Sequence, residues 1–296
     1  MRILLTGGTG FIGSHFLNQA LAAGHNVLAL RRSSASTPRI LIDSQPDWLD
    51  RQLDEVTARD IEGCDVLVHL AAHSVQYPFD SLIECLRWNL MAVLALFEQA
   101  RLAGIRNFIV AGSCFEYGRS GERFAAIPTD APLEPANSYA ASKAAASVAL
   151  CQWAEEHQLN LEMLRVFHVY GKGESSARFW PMLRKAAFAG EDFPMTEGEQ
   201  IRDFLAVEDV ASLFLGRAAE LQISDPRVRI FNLSSGNPCT LREFSHRLWL
   251  QWNAKGNLLF GQIPYRPNEV MRYCAGADSL TIQPKSCSVA ESLHRI

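Results

Sequence analysis

Three residues in the middle of the chain have the types and the order that carbonyl reduction requires. Ser113 follows an apolar run, and Tyr139 and Lys143 lie in an alanine-rich stretch of helical character. A spacing of four places Tyr139 and Lys143 on one face of a helix, one turn apart. A tyrosine whose pKa is about 10 exchanges protons slowly at neutral pH, and a neighbouring ammonium lowers that pKa. A serine hydroxyl can donate to the substrate oxygen as charge develops on it. We therefore predict a catalytic set of Ser113, Tyr139 and Lys143, although each residue alone is more often structural.

A glycine-rich turn near the start of the chain predicts a dinucleotide site. The apolar run of residues 3–5 precedes the turn, and helical spacing follows it until Gly24. The N–H groups that open a helix lack partners and bind pyrophosphate, while glycines let the backbone approach the phosphates. A tight structural turn is the alternative, but the strand before it and the helix after it favour the nucleotide site. The residues predicted to contact the cofactor here are Gly7, Thr9, Gly10, Phe11, Ile12 and Gly13.

Basic residues at the end of the second predicted strand, residues 25–30, bear on the choice of cofactor. In dinucleotide-binding folds an acidic residue at this point holds the ribose 2′-hydroxyl of NAD. This chain has Arg31 and Arg32 there, followed by two serines. Guanidinium and hydroxyl donors suit a 2′-phosphate, so the pattern favours NADP over NAD. If both arginines are solvated on a loop, the choice stays open. Residues 35–62 are predicted to hold a third strand and a short helix, with Asp50 or Asp54 near the adenine.

Two further segments are predicted to line the cofactor. The strand over residues 65–72 ends in Leu70, Ala71 and Ala72, and its small residues allow a cofactor to lie across the strand tip. Asn89 lies inside the helix predicted over residues 82–103. A buried amide in a helix needs hydrogen-bond partners, so we expect Asn89 to bridge to neighbouring backbone near the cofactor.

The order of the elements predicts an α/β fold with a doubly wound parallel (Rossmann) sheet. Strand and helix alternate repeatedly in the first half, and the strands are continuously apolar, as in sheets buried on both faces. We expect residues 1–165 to form the dinucleotide-binding domain. Residues 166–296 are expected to form mainly a smaller C-terminal substrate domain, with some elements returning to the Rossmann sheet.

Composition excludes several classes of partner. The 296 residues are 48% hydrophobic and 20% charged, with a net charge of −4. This charge provides no footprint for nucleic acid or an anionic membrane, and no apolar run approaches the ~20 residues of a membrane span. Seven scattered cysteines are typical of reduced thiols in a cytoplasmic chain. His69 and His73 are spaced like metal ligands, but His69 lies within a strand pattern, so no metal site is predicted.

The chain resembles the extended short-chain dehydrogenase/reductase family, and within it the nucleotide-sugar epimerase/dehydratase/reductase branch. The Tyr139/Lys143 pair is common to the whole superfamily, whereas the downstream segments are those of the nucleotide-sugar branch. The resemblance covers nearly the whole length and is carried by residues 6–13, 69–72, Asn89, 113–118, Tyr139 with Lys143, 164–171, 200–204, 231–236 and 265–267.

By this resemblance, Ser113, Tyr139 and Lys143 are the catalytic triad, and Lys143 also holds the nicotinamide ribose. Arg202 and Arg266 would bind the ribose and diphosphate of a sugar nucleotide, chemistry that suits guanidinium forks. His168 stands where many relatives have an asparagine that contacts the diphosphate. The resemblance also implies a homodimer, formed by the helices around residues 82–103 and 138–156.

Departures from the family pattern narrow the reaction. The 4,6-dehydratases of this branch carry Asp-Glu directly after the triad hydroxyl residue, whereas this chain has Cys114 and Phe115, predicted to line the substrate. Neither can act as acid or base for elimination. The leading hypothesis is NADPH-dependent reduction of a 4-keto-(6-deoxy)hexose carried on a nucleoside diphosphate, as in reductases that make deoxytalose, abequose or paratose units. The alternatives are an NAD-dependent 4-epimerase and a non-catalytic NADP-binding sensor protein.

Overall fold

Eight parallel strands form the central sheet of the protein. The computed structural model describes residues 1–221, 227–276 and 279–282. The strands of this sheet are β1 (Arg2–Thr6), β2 (Asn26–Arg31), β3 (Asp47–Asp50), β4 (Val66–His69), β5 (Asn107–Ser113), β6 (Asn160–Val166), β11 (Val228–Ser234) and β15 (Leu280–Thr281). Their spatial order is β15-β11-β6-β5-β4-β1-β2-β3, and every pairing is parallel. The order reverses between β1 and β4, and ligands of such sheets bind at this switch point.

Helices cover both faces of the sheet, which explains why its strands are apolar throughout. The α-helices are α1 (Phe11–Ala22), α2 (Leu82–Leu86), α3 (Ala92–Leu102), α4 (Ser138–Glu156), α5 (Phe179–Ala189), α6 (Val207–Glu220) and α7 (Leu241–Gln251). Short 3₁₀ helices span Leu53–Glu55, Ala58–Ile61, Cys114–Glu116 and Arg119–Arg123, and a π-helical turn spans Arg87–Met91. On one face, Phe16 of α1 and Phe214 of α6 belong to one buried cluster. On the other face, Phe97 of α3 and Leu150 of α4 belong to a second. The predicted doubly wound Rossmann sheet is confirmed.

A third apolar cluster lies away from the main sheet. It joins α5 and α7 through residues such as Leu183 and Trp249. The short strands of this region are β8 (Phe193–Pro194), β9 (Ile201–Arg202), β12 (Cys239–Thr240), β13 (Leu258–Leu259) and β14 (Arg272–Tyr273); β13 pairs with β8, and both β12 and β14 pair with β9. Between these elements the chain returns to the main sheet with α6 and β11. The division of the chain at residue 165 stays a prediction.

The apolar run of residues 161–170 is divided between two strands. β6 ends at Val166, and β7 (His168–Tyr170) pairs with β10 (Phe204–Ala206) in a separate two-stranded sheet. The hydrogen-bond partner changes at this point, because Phe167 N donates to Leu233 O and His168 N donates to Asp203 O. The apolar sequence continues across the change, so it concealed the break. The break matters for the site because His168, the first residue of β7, lies against Phe115, which is described below.

Three further predictions concern the helix after β4, membrane-spanning helices and the cysteines. The helix expected over residues 82–103 is α2 and α3 joined by the π-helical turn. No helix in the described ranges is long and apolar enough to cross a membrane. The six cysteines among the described residues are free thiols, and Cys287 lies outside those residues.

Candidate active site

The glycine-rich turn between β1 and α1 has the shape of a cradle for a phosphate group. Gly7 has a φ of +75°, and a Cβ on Gly13 would lie 1.9 Å from Gly7 O. Only a residue without a side chain allows this close approach of helix and turn. α1 begins after Gly10, and among the described residues no side chain caps its first N–H groups. The first turn of α1, which the structure describes in full, also contains no acidic residue. Phe11 and Ile12 therefore present backbone N–H donors at the positive end of the helix dipole. These residues fit a dinucleotide pyrophosphate.

Arg31 ends β2 and Arg32 follows it directly; both arginines are predicted to lie near the adenine ribose. Arg31 Nε donates to Asp50 Oδ1 over 2.5 Å, and the Arg31 guanidinium lies over the Trp48 ring, 4.5 Å from its centroid. Arg32 is exposed. A 2′-phosphate at this point would share Arg31 with Asp50. The basic character of this corner is therefore weaker than the sequence alone indicates, because a carboxylate offsets one of the two arginines.

The tip of β4 lies directly against the glycine turn. A Cβ on Gly7 would lie 2.6 Å from Ala71 N, and Ala71 N donates to Thr6 Oγ1 over 3.3 Å. Leu70 is half-buried and Ala72 is exposed. The small side chains of Ala71 and Ala72 at this tip are those predicted to leave room for a cofactor. Their contact with a cofactor stays a prediction.

Asn89 fixes the loop that follows β4, which spans residues 70–81. Its Oδ1 accepts from His73 N over 2.7 Å, and its Nδ2 donates to His73 O over 3.1 Å and to Ser142 Oγ over 2.9 Å. The predicted bridge to neighbouring backbone is confirmed. The residue lies in the π-helical turn and is buried, so it ties the 70–81 loop to α4, the helix that carries Tyr139.

Ser113 ends β5 and opens the 3₁₀ turn Cys114–Glu116. Its Oγ accepts from Phe115 N over 3.2 Å, and Glu116 Oε1 accepts from Ser113 N over 2.7 Å. This reciprocal arrangement is a capping box. The Ser113 side chain also lowers the pKa of the Tyr139 phenol, so the two side chains lie close together. The structure thus brings together two of the three residues predicted to be catalytic.

Tyr139 lies in the first turn of α4, where Asn137 caps the helix by accepting from Ala140 N over 2.9 Å. Its ring stacks on Phe79 at 6.0 Å and meets the edge of Phe115 at 6.4 Å. Burial raises the pKa of Tyr139, and the negative charge of Glu116 raises it further, whereas the Ser113 hydrogen bond and the Arg178 charge lower it. The expected lowering of this pKa by Lys143 is wrong for the protein alone, because removal of the phenol from water dominates.

Lys143 is buried one turn further along α4, and its Nζ donates to Ala111 O over 2.7 Å. Burial lowers the pKa of this ammonium, and the Glu116 carboxylate acts in the opposite direction. The ammonium is therefore held at the end of β5 rather than in solvent. His69 is also buried, and its burial together with the Lys143 charge lowers its pKa. The Nδ1 atom of His69 hydrogen-bonds to Thr6 Oγ1 over 2.8 Å.

Aromatic side chains cluster beside Tyr139. Phe115 meets His168 at 5.7 Å and Tyr273 at 5.4 Å. Burial, followed by the charges of Arg202 and Arg178, holds the pKa of His168 well below its ordinary value. His168 is therefore neutral and can act as a hydrogen-bond donor through one nitrogen only. Its Nδ1 has no hydrogen-bond partner among the described residues. Burial also raises the pKa of the Cys114 thiol, so this thiol stays protonated and unreactive.

The two arginines assigned to the sugar nucleotide differ in their surroundings. Arg202 Nη2 donates to Glu269 Oε1 over 2.8 Å and to Val270 O over 2.7 Å, so an ion pair already engages its guanidinium. Arg266 is exposed and lies over the Tyr77 ring at 5.1 Å. Tyr77 and Phe79 are neighbours in the 70–81 loop at 6.0 Å, which connects Arg266 to the surroundings of Tyr139. Diphosphate binding by either arginine stays a prediction.

The sequence reasoning missed three residues of this site: Phe79, Glu116 and Arg178. A signal existed for Glu116, because Ser113 followed by an acidic residue three positions later is the capping-box pattern. Phe79 and Arg178 lie in loops with no comparable signal. Within the described ranges the structure has no group of three or more His, Cys, Asp and Glu side chains that could hold a metal ion.

Comparisons with known proteins show the family to which the chain belongs. The model of the NAD dependent epimerase/dehydratase family matches residues 3–233. UDP-glucose 4-epimerase of Mycolicibacterium smegmatis is 30% identical over 263 residues, which cover 82% of this chain and 80% of that protein. dTDP-6-deoxy-L-talose 4-dehydrogenase (NAD(+)) of Aggregatibacter actinomycetemcomitans is 27% identical over 277 residues, covering 92% of this chain and 98% of that protein.

A solved structure has the same fold over nearly the whole chain. The NAD dependent NDP-hexosamine 5,6-dehydratase TunA, involved in tunicamycin biosynthesis, matches with a TM-score of 0.77 and 29% identity, covering 93% of this chain and 88% of that one. These relatives catalyse different reactions on one scaffold, so the similarity assigns a family and not a single reaction. The chain belongs to the NAD dependent epimerase/dehydratase family and is an enzyme of the extended short-chain dehydrogenase/reductase type.

Proposed function

We propose that the enzyme reduces the C4 keto group of a 6-deoxyhexose carried on a nucleoside diphosphate, with NADPH as the reductant. The observation that carries this proposal is the set of side chains around Ser113. Tyr139 is a buried phenol whose pKa the neighbouring Ser113 side chain lowers. The two positions after Ser113 hold an inert buried thiol and an aromatic ring, Cys114 and Phe115. Such a site can protonate a ketone oxygen, but these two side chains cannot supply the acid and base for elimination of water.

Each residue has a defined part in this reaction. NADPH, when bound, supplies the hydride for the ketone carbon. The backbone donors of Phe11 and Ile12 hold the pyrophosphate, and the tip of β4 supports the rest of the cofactor. Ser113 donates a hydrogen bond to the carbonyl oxygen, and Tyr139 gives it a proton. The Lys143 ammonium holds the nicotinamide ribose and partly neutralises the phenolate left on Tyr139.

A second candidate is an NAD-dependent 4-epimerase, which uses the same residues. Asp50 favours it, because a carboxylate beside the adenine ribose suits the 2′-hydroxyl of NAD. The UDP-glucose 4-epimerase of Mycolicibacterium smegmatis supports this candidate, while the dTDP-6-deoxy-L-talose 4-dehydrogenase of Aggregatibacter actinomycetemcomitans supports the oxidoreductase. A non-catalytic NADP-binding sensor accounts less well for an intact set of Ser113, Tyr139 and Lys143.

We also propose that the enzyme is a homodimer in the cytoplasm. Apolar side chains on the outer faces of α2, the π-helical turn and α4 are exposed, including Ile83 at 76%, Met91 at 60% and Val148 at 63%. Exposed apolar side chains on neighbouring helices are typical of a subunit interface. Of the small residues in these helices, Ala92 and Ala144 are buried within the subunit. The free thiols of the described cysteines favour a reducing compartment.

Two measurements test the proposed reaction. Purified protein is assayed for NADPH oxidation with 4-keto-6-deoxyhexoses carried on dTDP, CDP, GDP and UDP, with Tyr139→Phe as the control for catalysis by this site. The ultraviolet absorbance of nucleotide released from the denatured protein is recorded in parallel. Consumption of NADPH with a keto sugar supports the reductase. Tightly retained NAD, together with interconversion of 4-epimers and no net NADPH consumption, would assign the epimerase instead.

A further inference from the structure

A carboxylate with no assigned role lies under the catalytic hydroxyls. Glu116 is 0% exposed, and both of its oxygens accept hydrogen bonds. Oε1 accepts from Ser113 N over 2.7 Å, while Oε2 accepts from Ser147 Oγ over 2.6 Å and from Arg165 Nε over 2.8 Å. The carboxylate thus joins the end of β5, the middle of α4 and strand β6. Burial of a carboxylate is costly unless it is paired and hydrogen-bonded, and this one is both.

The partner of Glu116 is itself held on several sides. Arg165 Nη1 donates to Tyr117 OH and to Thr129 O, each over 2.8 Å, and Tyr117 OH donates to Asn232 Oδ1 over 2.6 Å. A Cβ on Gly112 would lie 2.9 Å from Glu116 Oε1, so the strand before Ser113 also fits closely around the carboxylate. A network with every member satisfied fixes one geometry. The network therefore holds the backbone of Ser113 in one position.

The charge of Glu116 also reaches the titratable groups of α4. It raises the pKa of Tyr139, where it acts together with burial, and it opposes the lowering of the Lys143 pKa by burial. The charged and titratable groups that face Glu116 or Tyr139 are Lys143 and Cys151 on α4, Arg165 on β6, Cys114 and Tyr117 beside the 3₁₀ turn, and Arg178 at the start of α5. Of these, Arg165 is the cation in direct contact with the carboxylate.

We propose that Glu116 is a positioning residue for the catalytic hydroxyls. Its carboxylate fixes the Ser113 backbone, and its negative charge adds to the effect of burial in keeping Tyr139 in the protonated form that donates to a substrate carbonyl. The expected effect of Glu116 on turnover rests on the proposed reduction, whereas the expected effect of Glu116 on the protonation of Tyr139 does not. A carboxylate that served only to stabilise the fold would change neither the protonation of Tyr139 nor the pH dependence of turnover.

The chain supplies a matched control in Glu162. This residue is also 0% exposed, and it pairs with Arg217 and Arg229, with the Nη2 of each 2.5 Å from its Oε1. It lies on β6 opposite Ile109, four residues before the position that pairs with Ser113. Glu162→Gln therefore neutralises another fully buried, arginine-paired carboxylate without touching the 3₁₀ turn. Any effect common to both Gln variants reports on stability alone.

The test is a pH titration of Tyr139 in Glu116→Gln, Glu116→Asp, Glu162→Gln and the unaltered enzyme. The ultraviolet signal of tyrosinate is measured in each, and the signal of the same protein carrying Tyr139→Phe is subtracted. Removing the charge in Glu116→Gln should lower the Tyr139 midpoint by about one to two pH units, the usual effect of a neighbouring charge. Glu162→Gln should leave the midpoint unchanged. Glu116→Asp keeps the charge but shortens the reach to Ser113 N, so the midpoint should stay while turnover falls about 100-fold from misplacement.

The same variants are assayed for the pH dependence of NADPH oxidation. The basic limb of turnover should move with the Tyr139 midpoint in Glu116→Gln and stay in place in Glu162→Gln. A folded Glu116→Gln enzyme with an unshifted midpoint would overturn the proposal. If that variant does not fold, Glu116→Asp decides: full turnover in it would equally overturn the proposed positioning. A shifted midpoint in a protein that reduces no keto sugar would support the role of Glu116 and refute the proposed reaction.

Discussion

Replacing Asp50 by asparagine should strengthen NADPH binding and leave NADH binding nearly unchanged. Asp50 accepts from Arg31 Nε over 2.5 Å at the corner where the ribose 2′ position is predicted to lie. A 2′-phosphate that binds Arg31 must approach this carboxylate, because both anions use one guanidinium. The 2′-hydroxyl of NAD carries no charge and can donate to Asp50 or to the asparagine oxygen.

The size of the effect follows from Coulomb's law. Two anions that share one guanidinium stand about 6 Å apart, and in water each pair of unit charges at that distance repels by about 0.7 kcal/mol. A phosphate of charge about −2 therefore loses about 1.4 kcal/mol to Asp50, a factor of about ten in affinity. Salt at physiological strength, with a Debye length of about 8 Å, reduces this to about threefold. Water is the right dielectric here, because the Asp50 side chain is 43% exposed.

The assay is the dissociation constant of NADPH and of NADH, measured by nucleotide fluorescence at low salt and at physiological salt. Asp47→Asn is the matched control, since Asp47 is an exposed carboxylate at the other end of β3. We expect NADPH to bind about tenfold more tightly to Asp50→Asn at low salt, with a smaller gain as salt rises. An unchanged affinity for NADPH, or an equal gain in the control, would refute the placement of the 2′-phosphate at Arg31.

Four other changes test separate parts of the structure. Tyr139→Phe should lower turnover at least about 100-fold while the NADPH dissociation constant stays within about twofold, because only the proton donor is lost; an active variant would exclude Tyr139 as the acid. Val148→Glu, at an exposed position of α4, should convert the proposed dimer to a monomer in light scattering. Phe214→Ala should reduce the free energy of unfolding in urea by about 3–5 kcal/mol, because the ring is fully buried between α6 and the sheet. Burial raises the pKa of Glu174 to about 7 from 4.5. Because the folded state then binds a proton that the unfolded state has lost, the free energy of unfolding should fall by about 3 kcal/mol as pH rises between these values. Glu174→Gln should remove this slope from the pH profile of Tm.

The sequence predicted the sheet well because its strands are buried on both faces. Continuous apolar runs separated by glycine turns and helical periods leave few other folds. The same continuity concealed the break at Phe167, since Val166 and Val169 are equally apolar although their strands belong to different sheets. A change of backbone hydrogen-bond partner between one strand and the next does not alter the pattern of apolar residues in the sequence.

The candidate site was predictable where spacing along one element sets the geometry. Tyr139 and Lys143 share a helix face, and the partners of Asn89 follow from the cost of an unpaired buried amide. Contacts between distant segments were not predictable. The pairing of Arg31 with Asp50, and the stacking of Phe79 on Tyr139, join residues that only the folded chain brings together.

The direction of the Tyr139 pKa shift bears on which reaction the site favours. A net reduction uses the phenol once per turnover as a proton donor to an alkoxide, which is far more basic than a phenolate. An epimerase must use the same group as base and as acid within one turnover, and such a group works best with a pKa near the working pH. The protein's own groups, burial first and Glu116 second, move the Tyr139 pKa upward. They keep the proton on the phenol, which is the protonation state that the proposed reduction requires.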